Sequence, residues 1–287
     1  MVKKDHVFLM MVLPAFILFF IFHTYPALQG IFYSFTNFRG YGDWDFVGFI
    51  NYFNVFQDGR ALSAYGFTFQ FAIVATLLVN MLSLFIAIGL NAKIKFRKTL
   101  RAMYFLPFIL SVLIVSFIFQ FMFTHMLPQL GQALDIDFLS RNILGNQNLA
   151  WIGVVIVAVW QSTAFNTLLY LAGLSTVDDQ VYEAADIDGA GSWAKFWRLT
   201  FPLIAPFFTI NMVVAMKNFL MAFDQIIGLT GGGPGRATES IALLIYRGGF
   251  EGGQFAYQSA NAVIYFIVIV AISVIQLRIL ERKEVKG

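Results

Sequence analysis

Six stretches of the chain carry almost no charge over the length of a membrane-crossing helix. They lie at approximately Val7–Phe32, Thr68–Leu90, Met103–Phe123, Ala150–Leu174, Leu203–Ile227 and Asn261–Leu277. The hydrocarbon core of a bilayer is about 30 Å thick and needs about 20 apolar residues per helix, so each stretch reads as a span. The fifth is interrupted, because Lys217 and Asp224 fall inside it. Pro14 and Pro26 kink the first without preventing insertion. The pattern predicts an all-α polytopic membrane protein with six transmembrane helices, organised as a single transmembrane domain over residues 1–287. A charged n-region followed by Val7–Phe22 could also signal secretion. The apolar run is longer than a signal peptide's and no small-residue cleavage site follows it, so the segment is read as a span.

Composition agrees: 59% of the residues are hydrophobic and 12% charged, too little polar surface to cover a soluble globule. Positive charge sets the sidedness, since short Lys/Arg-rich flanks stay in the cytoplasm. With the N-terminus inside, the cytoplasmic set is Lys3, Lys4, Lys93, Lys95, Arg97, Lys98, Arg101, Lys195, Arg198, Arg278, Arg282, Lys283 and Lys286. The outside set is Arg39, Arg60, Arg141, Arg236 and Arg247. Both termini are therefore expected in the cytoplasm of a cell with a bacterial-type plasma membrane. Topology accounts for the net charge of +3, and nucleic-acid binding is not expected. There is no cysteine, and His6, His23 and His125 are scattered, so no metal site is expected in this chain.

Between the fourth and fifth spans, residues 177–202 read as two short helices. Asp178 or Asp179 can cap the first, Gly189 can supply a left-handed stop, Ser192 can cap the second, and Pro202 marks re-entry into the membrane. Asp178, Asp179, Glu183, Asp186 and Asp188 make an acidic island on the otherwise basic side, which a complementary protein surface would explain. The spacing Glu183-Ala184-Ala185, Asp188-Gly189-Ala190, Phe196, Leu199 and Phe201-Pro202 resembles the signature of the integral-membrane subunits of ABC importers, the type I importer permease fold. Asp178 stands where that family often has proline, and Phe201 replaces its usual leucine. The resemblance implies that Glu183, Ala184, Ala185, Asp188, Gly189, Ala190, Phe196, Leu199 and Pro202 form the ATPase-coupling helices. It also implies as partners a second homologous permease, two ATPase subunits and an extracellular solute-binding protein. ATP and magnesium would belong to the ATPase, because no Walker sequence occurs here.

Phe223-Asp224 followed by Thr230 to Glu239, together with Tyr25 to Phe38 and Phe46 to Tyr52, resembles the maltose-type, carbohydrate-uptake-1 branch. That branch handles oligosaccharides, related glycosides and glycerol-3-phosphate, and Thr230 to Pro234 favours its first-permease type. Gly231–Gly235 lacks the Gly-Lys-Ser/Thr of a phosphate loop and reads as a tight extracellular turn.

Polar side chains inside a span are costly and usually face a bundle interior or a water-filled path. Span four offers Gln161, Ser162, Phe165 and Asn166 beside Trp160. Span five offers Asn211, Asn218 and Gln225 at heptad steps, flanked by Lys217, Met221 and Asp224. Amides, carboxylates and aromatic rings suit sugar hydroxyls and ring faces. In the resembling branch, transported sugar contacts these two spans around these positions. The predicted substrate-binding set is thus Gln161, Ser162, Phe165, Lys217, Asn218, Met221, Asp224 and Gln225. The same amides could instead bond across packed helices, and Lys217 and Asp224 could snorkel to the surface.

Two other classes compete with an importer subunit. An intramembrane magnesium-dependent transferase would need a second acidic cluster facing the first, and none stands on the cytoplasmic side. An ion-gradient-driven secondary transporter would need acidic residues at mid-membrane, and the spans offer almost none.

Overall fold

The protein was analysed as a computed structural model that describes residues 2–92 and 95–282. Twelve helical segments organise the description: α1 Leu9–Tyr33, α2 Ile50–Gln57, α3 Gly59–Asn91, α4 Arg97–Ile109, α5 Val112–Ala133, α6 Ala150–Leu174, α7 Asp179–Ile187, α8 Ser192–Leu203, α9 Ala205–Leu220, α10 Asp224–Leu229, α11 Ile241–Tyr246 and α12 Phe255–Glu281. Among the described residues, α1, α3, α5, α6 and α12 are each long and apolar enough to cross a membrane. The pair α8 and α9, bent by 68°, makes a sixth crossing where it is taken as one span.

Prolines shape these helices through a shared device. A proline removes one N–H, and its ring crowds the carbonyl four residues earlier. Wide, π-type turns occur at Phe20–Thr24, Met122–Met126 and Phe196–Thr200, and each contains the residue four before a proline: Phe22 before Pro26, Thr124 before Pro128 and Arg198 before Pro202. The wider turn moves the crowded carbonyl aside and keeps the helix continuous.

Two predicted spans are broken rather than continuous. The stretch Met103–Phe123 is divided between α4 and α5, with Leu110 and Ser111 extended between them (ψ 140° and 130°) just after Pro107. The stretch Leu203–Ile227 is divided between α9, Ala205–Leu220, and the start of α10 at Asp224, with Pro206 in the first turn of α9, where the missing N–H does no harm. At 1.5 Å per residue α9 is about 24 Å long, short of a full bilayer. Its polypeptide then leaves the helix through Met221 to Phe223 before α10 begins. No glycine or proline lies between Asn218 and Ile227, so this break comes from tertiary contacts. Ser240 Oγ donates to the Ala222 carbonyl at 3.0 Å. Gly228 of α10 lies so close to α5 that a β-carbon there would sit 2.6 Å from Ser116 Cβ.

The chain gathers into two compact units, Met1–Ser63 with Leu244–Val268 and Ala64–Leu243 with Ile269–Gly287. In the first, the segment after α1 folds back on itself. Val47 N–H donates to Phe35 O at 2.8 Å and Asn37 N–H to Asp45 O at 3.1 Å. Tyr33 stacks on Phe38 with ring centroids 4.4 Å apart, and the Tyr257 hydroxyl donates to Asp58 Oδ2 at 2.7 Å.

The second unit is organised around α6, buried along most of its length. Small residues bring helices close, as membrane packing favours: a β-carbon on Gly173 would lie 2.7 Å from the Phe207 ring. Polar groups bind neighbours across the bundle, with the Tyr170 hydroxyl donating to Asn80 Oδ1 at 2.7 Å. Toward the α7 end, Ala87, Leu90, Tyr170, Leu171, Leu174 and Ile204 form an apolar cluster. The loop after α10 is a tight turn as expected. Gly231 and Gly232 take φ of 57° and 83°, and Thr238 Oγ1 closes the turn on the Gly233 carbonyl at 2.6 Å.

Candidate functional site

The loop of residues 177–202 is built from its caps inward. The Asp178 side chain accepts from the Gln180 N–H at 2.9 Å, which satisfies an otherwise free donor at the start of α7. At the other end Gly189 takes φ +72°, the Ala190 N–H donates to Ala185 O at 2.9 Å, and the Gly189 N–H donates to Asp186 O at 3.1 Å. This pair of bonds is a Schellman stop, and the left-handed residue inside it is the glycine of the Asp-Gly-Ala spacing. The expectation that Ser192 caps the second helix is corrected. Gly191 occupies the cap position with extended backbone and Ser192 is the first helical residue, so its hydroxyl lies beyond the free N–H groups. Lys195 and Asp186 pair across the loop, and the Tyr182 and Thr200 hydroxyls are 3.0 Å apart.

Of the predicted coupling residues, Glu183, Ala184, Asp188 and Gly189 are exposed, Ala185 is buried, and Ala190, Phe196, Leu199 and Pro202 are half-buried. Phe196 packs on Trp197 and Phe201, with ring centroids 5.0 and 6.1 Å apart. The sequence reading passed over Ile187 and Trp193, which are 87% and 75% exposed on this loop. Their signal was available: large apolar residues between acidic and basic ones in a segment that links two spans.

The predicted solute residues meet at a cavity of about 300 Å³ formed by α4, α5, α6, α9 and the broken turn before α10. Gln161, Ser162, Phe165, Asn218, Met221, Asp224 and Gln225 all line it, while Lys217 is exposed away from it. Asn211 and Trp160 also stand apart. Asn211 is fully buried and donates to Asn166 O at 3.3 Å, and Trp160 faces an apolar groove. The heptad argument for Asn211, Asn218 and Gln225 therefore fails, because α9 ends at Leu220 and Gln225 reaches the cavity from the first turn of α10.

Several walls were not foreseen. Phe108 stacks on Phe165 with centroids 5.1 Å apart, and Val112 and Phe223 complete an apolar side. Pro107, followed by the helix break, is the feature that could have pointed to Phe108 and Val112. Gln161 has a second task. Its Nε2 donates to the carbonyls of Leu110 at 3.0 Å and Pro107 at 3.4 Å, which satisfies helix-end acceptors where α4 stops. Its Oε1, and Oδ1 of Asn166, are buried without a partner among the described residues, and both residues line the cavity. Non-helical backbone at membrane depth is tolerated where it borders a cavity, and the turn through Met221 to Phe223 does so. The site thus combines acceptor oxygens, a carboxylate and aromatic faces, a set that can hold a polyhydroxylated solute.

Residues 79–286 match the family described as binding-protein-dependent transport system inner membrane component. The chain is 41% identical over 266 residues to the multiple sugar-binding transport system permease protein MsmF of Streptococcus mutans, covering 92% of each chain. It is 34% identical to the probable starch degradation products transport system permease protein AmyD of Thermoanaerobacterium thermosulfurigenes, covering 91% of this chain and 89% of that one. Against the sn-glycerol-3-phosphate transport system permease protein UgpA of Yersinia pestis the identity is 32%, over 96% and 94% of the two chains. Its fold matches a subunit in the crystal structure of a bacterial ABC transporter involved in the import of the acidic polysaccharide alginate. The TM-score is 0.87 at 22% identity, over 98% of this chain and 97% of that one. With a loop closed at Gly189, a cavity beside a broken helix and these relatives along most of its length, the chain belongs to the inner-membrane permease components of binding-protein-dependent transport systems.

Proposed function

We propose that the chain is the permease subunit of an ATP-driven importer of a sugar or oligosaccharide, and that the cavity beside α6 and α10 holds the solute in transit. One observation carries this reading: Gln161, Ser162, Asn218, Asp224 and Gln225 converge with the Phe108 and Phe165 rings on one space of about 300 Å³. Sugar hydroxyls would supply donors to Gln161 Oε1 and Asn166 Oδ1, and the apolar face of a sugar ring would lie on the phenylalanines. The sugar-related names of MsmF and AmyD support this substrate class, and that of UgpA keeps glycerol-3-phosphate-like solutes within it.

In this reading the chain hydrolyses nothing. Glu183, Ala184, Asp188 and Gly189 meet an ATPase subunit, which supplies ATP and magnesium, and the exposed Ile187 and Trp193 add apolar contact there. The full assembly holds a second homologous permease, two ATPase copies and an extracellular solute-binding protein, with both termini of this chain cytoplasmic. The test is solute uptake by vesicles containing the purified complex, with a panel of glycosides and glycerol-3-phosphate, for Asn218→Ala and Asp224→Asn beside the parent. Both variants should assemble at normal yield and take up solute more slowly. Unchanged uptake across the panel at normal yield would remove the cavity from the pathway, and purification without an ATPase would remove the ATP-driven mechanism.

A further inference from the structure

The helix α2, between the end of α1 and the start of α3, has two faces of opposite character. Its inner face is tied to the chain just after α1. Asn51 Nδ2 donates to Ser34 O at 2.8 Å and to Thr36 O at 2.7 Å, the Tyr52 and Ser34 hydroxyls are 2.6 Å apart, and Val55 is buried. The Phe35 ring meets those of Phe49 and Tyr52, with centroids 5.2 and 5.3 Å away. The outer face is largely exposed, with Phe49 at its edge also touching the Phe35 and Tyr52 rings. Phe49, Ile50, Phe53 and Phe56 are 62, 56, 67 and 64% exposed. At 100° per residue they occupy a stripe of about 120°, the width of a buried helix face, although nothing among the described residues covers it.

We infer that α2 is an interfacial helix lying in the headgroup region of the bilayer, with the stripe Phe49, Ile50, Phe53 and Phe56 against lipid. Three observations favour lipid over a protein partner. No charged residue occurs between Phe46 and Gln57, and the stripe has no hydrogen-bonding group, so lying against hydrocarbon would leave none of its side chains with an unsatisfied polar atom. The neighbouring last turns of α1, a helix apolar enough to cross the membrane, also expose Leu28, Ile31 and Phe32, so the bare surface continues onto a lipid-facing one. The opposite edge is polar, with Asn51, Asn54 and Asp58 lining an open cleft. An apolar stripe backed by a polar edge is the form of a helix that lies along a membrane surface. Docked on the end of α1, α2 would fix how far that span rises from the bilayer.

The chain has no cysteine, so a single introduced thiol can be labelled in the assembled complex once any partner cysteines are replaced. Nitroxide labels at Phe53→Cys, Phe56→Cys and Asn54→Cys, in complexes reconstituted into phosphatidylcholine vesicles, would be compared for collision with oxygen and with a water-soluble nickel chelate. The stripe positions should favour oxygen several-fold and Asn54 should favour nickel. Nickel preference at all three positions would put the stripe in water and overturn the inference. Exclusion of both reagents from Phe53 and Phe56 would overturn it in favour of a protein cover. Because Phe53 and Phe56 are both exposed and on adjacent turns, either substitution reads the outcome if the other fails to assemble.

Discussion

Replacing Gly228 with alanine tests whether the break between α9 and α10 is held by packing against α5. The added carbon would start 2.6 Å from Ser116 Cβ and 3.3 Å from Leu113 Cδ1. Carbon atoms rest about 3.5–4.0 Å apart, so the two elements must part by about 1 Å. Overpacking of this kind costs about 1–3 kcal/mol. Asp224 and Gln225 ride on the displaced element, so solute uptake should weaken along with stability. The partner change isolates the cause. Ser116→Gly removes the opposing carbon and gives up only a hydroxyl bond to its own helix, 2.8 Å from Val112 O, plus about 0.5–1 kcal/mol of helix propensity. In a double-mutant cycle read by thermal unfolding of the purified complex, Gly228→Ala should be less harmful in the Ser116→Gly background, with a coupling energy of about 1–2 kcal/mol. Additive effects, or a Gly228→Ala complex as stable as the parent, would refute the close-packing account of the break.

Gly189→Ala should reduce ATPase stimulation by about 5- to 30-fold, the population equivalent of about 1–2 kcal/mol for an alanine forced to φ +72°, while Gly189→Asn recovers most of it; equal activity in all three would refute a left-handed requirement. Around Gly189 no atom lies within 4 Å of a would-be β-carbon, so Gly189→Ala adds no clash and lowers melting of the subunit only by the backbone strain of an alanine at φ +72°, about 1–2 kcal/mol. Gln161→Ala should both slow uptake and lower thermal stability, since it uncaps the Leu110 carbonyl, whereas Lys217→Ala should leave uptake as it was; the two are separated by transport and melting assays on the same preparations. Burial opposes ionisation of Asp58, but the Tyr257 hydroxyl, the Arg60 and Ala61 N–H groups and the Arg60 charge outweigh it and hold the carboxyl below its usual value. That stabilisation is present above the ordinary carboxylate range and lost as pH falls through the lowered value, and Tyr257→Phe should shift the loss to higher pH in melting curves collected as a function of pH.

Much of this was visible from spacing because it depends on neighbours in sequence. Asp178 caps α7 two residues before the N–H it accepts from, and Gly189 closes the same helix within six residues, so local geometry decides both. Lengths of apolar runs located the helices for the same reason. What sequence spacing missed depends on contacts distant in the chain. The end of α9 at Leu220 is set by Ser240 and by the approach of Gly228 to Ser116, neither of which leaves a mark between Asn211 and Gln225. Gln161 and Asn218 were found because polar residues are conspicuous in apolar runs, whereas Phe108 and Val112 were hidden among their own kind and became walls only when α4 stopped after Pro107.

The wide turn at Phe196–Thr200 changes what the spacing from Gly189 to Pro202 encodes. An α-helix advances 100° per residue, so a turn that accommodates one extra residue shifts the angular phase of everything after it by about that amount. Phe196, at the start of the turn, and Pro202, beyond its end, are therefore separated by a different angle from the roughly 240° that six residues of unbroken α-helix would put between them. The motif is in this sense an angular code. The number of residues between Gly189 and Pro202 sets the direction in which α7 faces when α9 is held in the membrane, and one residue more or fewer would turn an intact set of contact side chains toward the wrong bearing.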